Sequence, residues 1–198
     1  MATVTKVRKD GLTEIRWHGR GGQGVVTASK MLAQAALVEG KYFQALPEFG
    51  AERSGAPIRA YTRISNNPVR QHCSVTDPGI VVVLDPTLVG AINVAEGVGE
   101  EGIIIANTPL SPQELRRKLG LVKGRVLAVD ATRISLDTIG RNIPNTPILG
   151  ALLKAIPVVK KESVLQAIKD RLGTRVNPNV VEGNLRAFER AYSEAKEG

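Results

Sequence analysis

The chain has 198 residues, 42% of them hydrophobic but only 4% aromatic, and a formal net charge of +8. That length supports one substantial core built mostly from Val, Ile, Leu and Ala. A single cysteine, Cys73, excludes a disulfide framework and any zinc or iron–sulfur centre made from this chain's thiols alone. The basic balance fits an anionic partner or plain solubility. The basic residues are scattered and few aromatics are available for base stacking, so nucleic acid is not expected. No apolar run is long enough to span a bilayer and no apolar signal core follows the basic N-terminus, so a cytoplasmic protein is expected.

Residues 3–17 read as two short extended segments around the turn Asp10-Gly11. Ile15 and Trp17 alternate with Glu14 and Arg16, which predicts a strand half exposed or near a sheet edge. A glycine-rich stretch follows, with Gly19, Gly21 and Gly24 in the spacing G-x-G-x-x-G. Apolar periodicity predicts a helix over 25–39, ended by Gly40. Residues 41–46 read as a strand stopped by Pro47, and a long polar loop over 48–57 suits a functional segment. Alternation over 58–64 predicts a half-exposed strand. The runs 80–84, 102–106 and 125–129 are apolar on both faces, as buried parallel strands are. A short helix is expected over 88–94, and another over 112–119, opened by Ser111-Pro112 and closed by Gly120. Further helices are expected over 131–139, 145–156 and 161–172. The last opens at Asn177-Pro178, with a core stripe of Val181, Leu185, Phe188 and Tyr192. Strands alternating with helices predict an α/β fold: a mainly parallel, Rossmann-like sheet flanked by helices, with a helical C-terminal third over 131–198.

In such sheets ligands sit beyond the carboxyl ends of the strands. Four predicted strand ends carry polar or glycine-rich residues: the glycine loop, Asp85-Pro86-Thr87, Asn107-Thr108-Pro109 and Asp130-Ala131-Thr132. They should converge on one rim. In the loop, the main chain of Gly21, Gly22, Gln23 and Gly24, backed by a helix start, suits a phosphate. Thr27 reads equally as a ligand donor or an ordinary helix residue, and Lys30 first as a solvated charge. Arg53, in the long loop, suits a phosphate or a subunit-interface ion pair. A nicotinamide or flavin dinucleotide would want an acid at the end of the second strand, where Gln44-Ala45-Leu46-Pro47 stands instead. His18 and His72 lack ligand-spaced partners. Cys73 reads as structural, and no nucleophilic triad or carboxylate pair is visible.

The stretch Gly19-Arg20-Gly21-Gly22-Gln23-Gly24-Val25-Val26-Thr27-Ala28-Ser29-Lys30 resembles the opening motif of the gamma subunits of pyruvate:ferredoxin oxidoreductase and related 2-oxoacid:ferredoxin oxidoreductases. Phe49-Gly50-Ala51-Glu52-Arg53-Ser54-Gly55-Ala56-Pro57 is similar to that family's second signature. Val82-Val83-Leu84-Asp85, Asn107-Thr108 and Asn145-Thr146-Pro147-Ile148-Leu149-Gly150 are similar to its later ones. The resemblance runs over 13–192 and leaves an N-terminal extension, 1–12, outside it; it implies a single gamma domain. It also implies a subunit associated with coenzyme A (CoA), with Gly21, Gly22, Gln23, Gly24, Thr27, Arg53 and Asn107 as candidate contacts. Thiamine diphosphate and iron–sulfur clusters would then lie on alpha, beta and delta partner subunits, with ferredoxin as external acceptor. Three other readings stay open: a purely structural subunit of the same complex, a gamma-type subunit specific for another 2-oxoacid (branched-chain, 2-oxoglutarate or indolepyruvate), and an independent NAD(P)-binding oxidoreductase.

Overall fold

The computed structural model describes residues 11–48, 56–173 and 176–198. In chain order the elements are β1 (Thr13–Arg20), α1 (Val25–Val38), β2 (Tyr42–Glu48), β3 (Pro57–Ser65), β4 (Ile80–Val83) and β5 (Ile103–Asn107). Then come α2 (Pro112–Leu119), β6 (Arg125–Val129), α3 (Ala131–Ile139), α4 (Asn145–Ala155), α5 (Lys161–Leu172), α6 (Pro178–Glu194) and β7 (Lys196–Glu197). Among the described residues the strands form one sheet in the order β2-β3-β1-β4-β5-β6-β7. β1, β4, β5 and β6 run parallel and make its centre; β3 and β2 extend it antiparallel on one side, and β7 on the other. The α/β fold with a parallel centre and a helical C-terminal portion is as expected.

Both faces of the parallel centre are covered, which is why β4, β5 and β6 are continuous apolar runs. One face sends Ile15, Trp17, Val82, Ile105 and Leu127 into a core shared with α1 and α3–α6. The other packs Val81, Val83, Ile104 and Val126 against Leu115 of α2 and against Leu88, Val89 and Val94 of an irregular segment. α2 starts on a reciprocal capping box: Ser111 Oγ accepts from Glu114 N, and Glu114 Oε2 accepts from Ser111 N at 2.8 Å.

Several expectations are corrected. β1 is no edge strand; it lies between β3 and β4, and its Glu14, Arg16 and His18 are buried. Glu14 meets Arg63 of β3 at 2.8 Å, and Arg16 donates to the carbonyls of Val94, at 3.2 Å, and Glu96. β3 is likewise buried over its second half. Alternation looks the same in sequence whether the polar face meets water or meets buried partners. Pro47 does not stop β2, which pairs with β3 alone and can turn a residue lacking an N–H outward. The helix expected over 88–94 shrinks to one 3-10 turn, Pro86–Leu88, and Gly90 at φ 90° breaks any continuation. On α6 the buried face is Gly183, Asn184, Ala187, Phe188 and Ala191, with Leu185 and Tyr192 only partly buried. The cause is close approach: a Cβ on Gly150 of α4 would fall 2.2 Å from the Phe188 carbonyl oxygen, so α6 presents small residues there. The segment expected before Gly11 and residues 49–55, Arg53 among them, lie outside the described residues.

Candidate functional site

Parallel pairing places the carboxyl ends of β1, β4, β5 and β6 on one rim. After β1 the chain passes to β2 and β3 on one side of the sheet; after β4 it passes to β5 on the other. The strand order therefore reverses between β1 and β4, where open α/β sheets form their ligand crevice. The glycine loop stands there. Gly22 at φ 89° and Gly24 at φ 79° take left-handed backbone that other residues adopt only with strain. Gly24 is the N-cap of α1 and brings no side-chain cap, so the helix start is open. Among the described residues no backbone acceptor meets the N–H of Gly22 or Gly24. Gly21 is exposed beside them.

Gln23 behaves differently from its neighbours. Its N–H donates to the Arg20 carbonyl at 3.3 Å, its Oε1 accepts from Arg20 N at 2.8 Å, and its Nε2 donates to Asp85 Oδ2 at 2.7 Å. It braces the loop from the sheet side, with its main-chain N–H already bonded to the Arg20 carbonyl. Arg20 is also engaged, with Nε 3.3 Å from Asp85 Oδ2 and Nη2 3.2 Å from Thr87 Oγ1. Burial would raise the Asp85 carboxyl; the Thr87 hydroxyl and amide, Gln23 and Arg20 together outweigh that and hold it below the ordinary aspartate value.

Asn107 is buried and ties the rim together. Its Nδ2 donates to Leu84 O at 2.8 Å and to Thr132 Oγ1 at 2.9 Å, and its Oδ1 accepts from Thr132 N at 3.0 Å. Both ends of the amide bond the fold, so in this structure Asn107 ties the end of β5 to Leu84 and to the start of α3. Thr27, in the first turn of α1, is half-buried, and Lys30 is exposed. Cys73, expected to be structural, is exposed between β3 and β4; its carbonyl accepts from Arg63 Nη1 at 2.8 Å. His18, just behind the loop, accepts at Nε2 from Arg16 Nε at 3.1 Å, and its buried Nδ1 has no partner among the described residues. Burial, then the charges of Arg16 and Arg59, push its pKa down to about 3, so the ring is neutral.

One residue beside the loop was quoted in the sequence only as the head of a family signature and not as part of the site. Asn145, the first residue of α4, abuts the loop so closely that a Cβ on Gly24 would fall 2.6 Å from its Nδ2. The available signal was its place at the head of an apolar helix, where a short polar side chain has work beyond packing.

Among the described residues no group of three His, Cys, Asp or Glu is placed to hold a metal ion, and no helix is long and apolar enough to cross a membrane. The dinucleotide reading weakens further, because antiparallel β3 occupies the place beside β1 where a parallel second strand would carry the ribose-binding acid. Sheet order, switch point and open glycine loop define an α/β protein of the Rossmann-like class. Residues 14–194 match the family described as pyruvate ferredoxin/flavodoxin oxidoreductase, and the chain belongs to that family, among its gamma-type subunits. It is 48% identical to the pyruvate/ketoisovalerate oxidoreductases common subunit gamma of Pyrococcus furiosus, over 93% of this chain and 98% of that one. It is 46% identical to pyruvate synthase subunit PorC of Thermotoga maritima, over 92% and 94%. The crystal structure of the Thermotoga maritima pyruvate oxidoreductase subunit PORC matches with a TM-score of 0.84 at 44% identity, covering 94% of this chain and 98% of that one.

Proposed function

We propose that this chain is the gamma subunit of a pyruvate-type 2-oxoacid:ferredoxin oxidoreductase complex and that its glycine loop holds a phosphate of CoA at the mouth of the active site. The complex converts 2-oxoacid, CoA and oxidised ferredoxin to acyl-CoA, carbon dioxide and reduced ferredoxin. Thiamine diphosphate and the iron–sulfur clusters reside on alpha, beta and delta partners, in a cytoplasmic hetero-oligomer to which this chain contributes one gamma domain. The name of the Pyrococcus relative joins pyruvate and ketoisovalerate, which supports a gamma subunit that leaves the choice of 2-oxoacid to its partners.

The observation that carries the reading is the uncapped start of α1 at the switch point, with the N–H groups of Gly22 and Gly24 turned to no backbone acceptor. An open helix start carries roughly half a positive charge, and a charge-assisted hydrogen bond to phosphate contributes about 1.5–3 kcal/mol. Thr27 adds a hydroxyl in the same turn. Gln23 and Asp85 hold the loop in shape.

The test is Gly22→Val in the assembled complex. A Cβ at Gly22 meets nothing within 4 Å, so the change acts through the backbone at φ 89° rather than through a clash. CoA affinity is expected to fall about tenfold to a hundredfold. Gly40→Val, at φ 71° with equally open surroundings, controls for backbone strain and should leave CoA affinity unchanged. Equal CoA affinity in the Gly22→Val and unaltered complexes refutes the reading. A second reading, a subunit that only holds the complex together, is favoured by the exposed Leu37, Val38, Tyr42 and Phe43 across the turn from α1 to the edge strand β2. It predicts that Leu37→Glu with Phe43→Glu dissociates the complex while Gly22→Val leaves CoA binding untouched.

A further inference from the structure

The face of β1 and β3 turned away from α1 buries more positive charge than it neutralises. Glu14 pairs with Arg63 there. Arg16 has no such partner. It is 3% exposed, and its hydrogen bonds go to His18 Nε2 and to the carbonyls of Val94 and Glu96, all of them uncharged. The antiparallel register sets Arg59 of β3 directly across from His18, on the same face. Arg59 is exposed, and neither it nor Arg16 makes an ion pair among the described residues. Glu48, opposite Arg59 on β2, accepts instead from the Tyr61 hydroxyl. Burial, then the charge of Arg59, lowers the Arg16 pKa from the ordinary arginine value, so the two cations feel each other. His18 stands between them with a donor in hand. Arg16 Nε can only donate, so His18 Nε2 accepts and the neutral ring carries its proton on Nδ1. His18 is 1% exposed, and that N–H has no acceptor among the described residues. A buried cation without a counter-charge and a buried donor without an acceptor are each costly, and one anion meets both.

We infer that Arg59 and His18 Nδ1 receive a carboxylate from outside this chain, an aspartate or glutamate of a partner subunit, so that this face of the antiparallel wing is a contact surface within the complex. A carboxylate has two oxygens, one for the Nδ1–H and one for the guanidinium. Glu48 beside the site favours this singly charged group over a doubly charged phosphate. The wing also has room for a partner. α1 covers one face of β2 and β3, while the other presents exposed Glu48 and Arg59 and half-buried Leu46. Arg59, the exposed member of the trio, marks the side from which the carboxylate arrives, and Arg16 beneath it supplies a fixed positive field. The inference rests on the reading of this chain as one subunit of the complex, and it is independent of what the glycine loop binds.

The experiment compares Arg59→Glu, Arg59→Ala and, as a control for net charge, Arg117→Glu on the exposed side of α2. The dissociation constant of this chain from its partners is measured at about 0.1 M and about 1 M salt. Arg59→Glu should weaken the hold about tenfold or more and Arg59→Ala about threefold, with high salt narrowing both differences and Arg117→Glu changing nothing. CoA affinity of the assembled complex should stay as it was in all three. Full retention by Arg59→Glu, or an equal loss in Arg117→Glu, overturns the contact surface. CoA affinity lost in Arg59→Glu with assembly intact makes the anion a phosphate of CoA and overturns the partner carboxylate. A second measurement uses the full chain alone, with isotope-labelled histidine and acetate as the probe. Acetate should shift the His18 Nδ1 resonance saturably, and Arg59→Ala should abolish the shift. No shift overturns the carboxylate site, whereas a saturable shift in a chain that fails to assemble with its partners upholds the site and refutes the subunit reading instead.

Discussion

The two halves of the sheet exclude water by different means. β4, β5 and β6 are apolar on both faces and need only to be covered. β1 and β3 are apolar on one face and bury Glu14, Arg16, His18, Tyr61 and Arg63 on the other. The first half is held by packing that tolerates small adjustments; the second is held by pairs in which each member depends on its partner. The glycine loop and Asp85 stand at the seam, one at the end of β1 and the other just past β4. The candidate site thus has a rigid apolar wall on one side and a polar network on the other.

The largest expected effect lies in the polar half. Glu14→Ala strands the Arg63 guanidinium, which among the described residues keeps the neutral partners Gln44 Oε1 at 2.9 Å, the Cys73 carbonyl at 2.8 Å and Cys73 Sγ at 3.9 Å. Thermal or chemical denaturation should show a loss of about 3–5 kcal/mol, and the pair Glu14→Leu with Arg63→Met should recover much of it. A result below 1 kcal/mol for Glu14→Ala would erase the distinction between the halves.

A smaller effect comes from His18 through pH. In the fold the ring takes up its proton only near a pKa of about 3, against 6.5 for an ordinary histidine. Between those values the unfolded chain binds more protons than the folded one, so stability falls as pH falls. At pH 5 the histidine term should cost about 2 kcal/mol relative to pH 7, and His18→Gln should flatten the profile in that window. An identical slope in the variant would place the acid sensitivity elsewhere. Smallest is Ile105→Val in the apolar half, a lost methylene worth about 1 kcal/mol with no pH dependence, read by the same denaturation curves.

These contrasts also show which parts of the fold could be read from residues alone. α2 was legible to its ends because Ser111, Pro112, Glu114 and Gly120 are local signals. The runs over β4, β5 and β6 were legible because burial on both faces leaves a continuous apolar pattern. The depth of β1 was not, because the partner of Glu14 lies 49 residues away and the carbonyls that receive Arg16 lie 78 and 80 away. β7 spans two residues, too few to show any period. At the site, the glycines announced an open helix start, but the engagement of Gln23 and Asn107 depends on Asp85 and Thr132, which only the folded rim brings near. Asn145 was hidden for the same reason: its proximity to Gly24 joins two stretches 121 residues apart in the chain.

The contact of Gly150 with the Phe188 carbonyl has a mechanical consequence. Main chain rests on main chain there, with no side chain between to absorb displacement by changing rotamer. α4 and α6 are therefore held at a fixed separation within the core they share with the sheet. At the far end of the same pair, Lys154 of α4 clamps the last turn of α6 by donating to the Ser193 and Ala195 carbonyls at 2.8 and 2.6 Å.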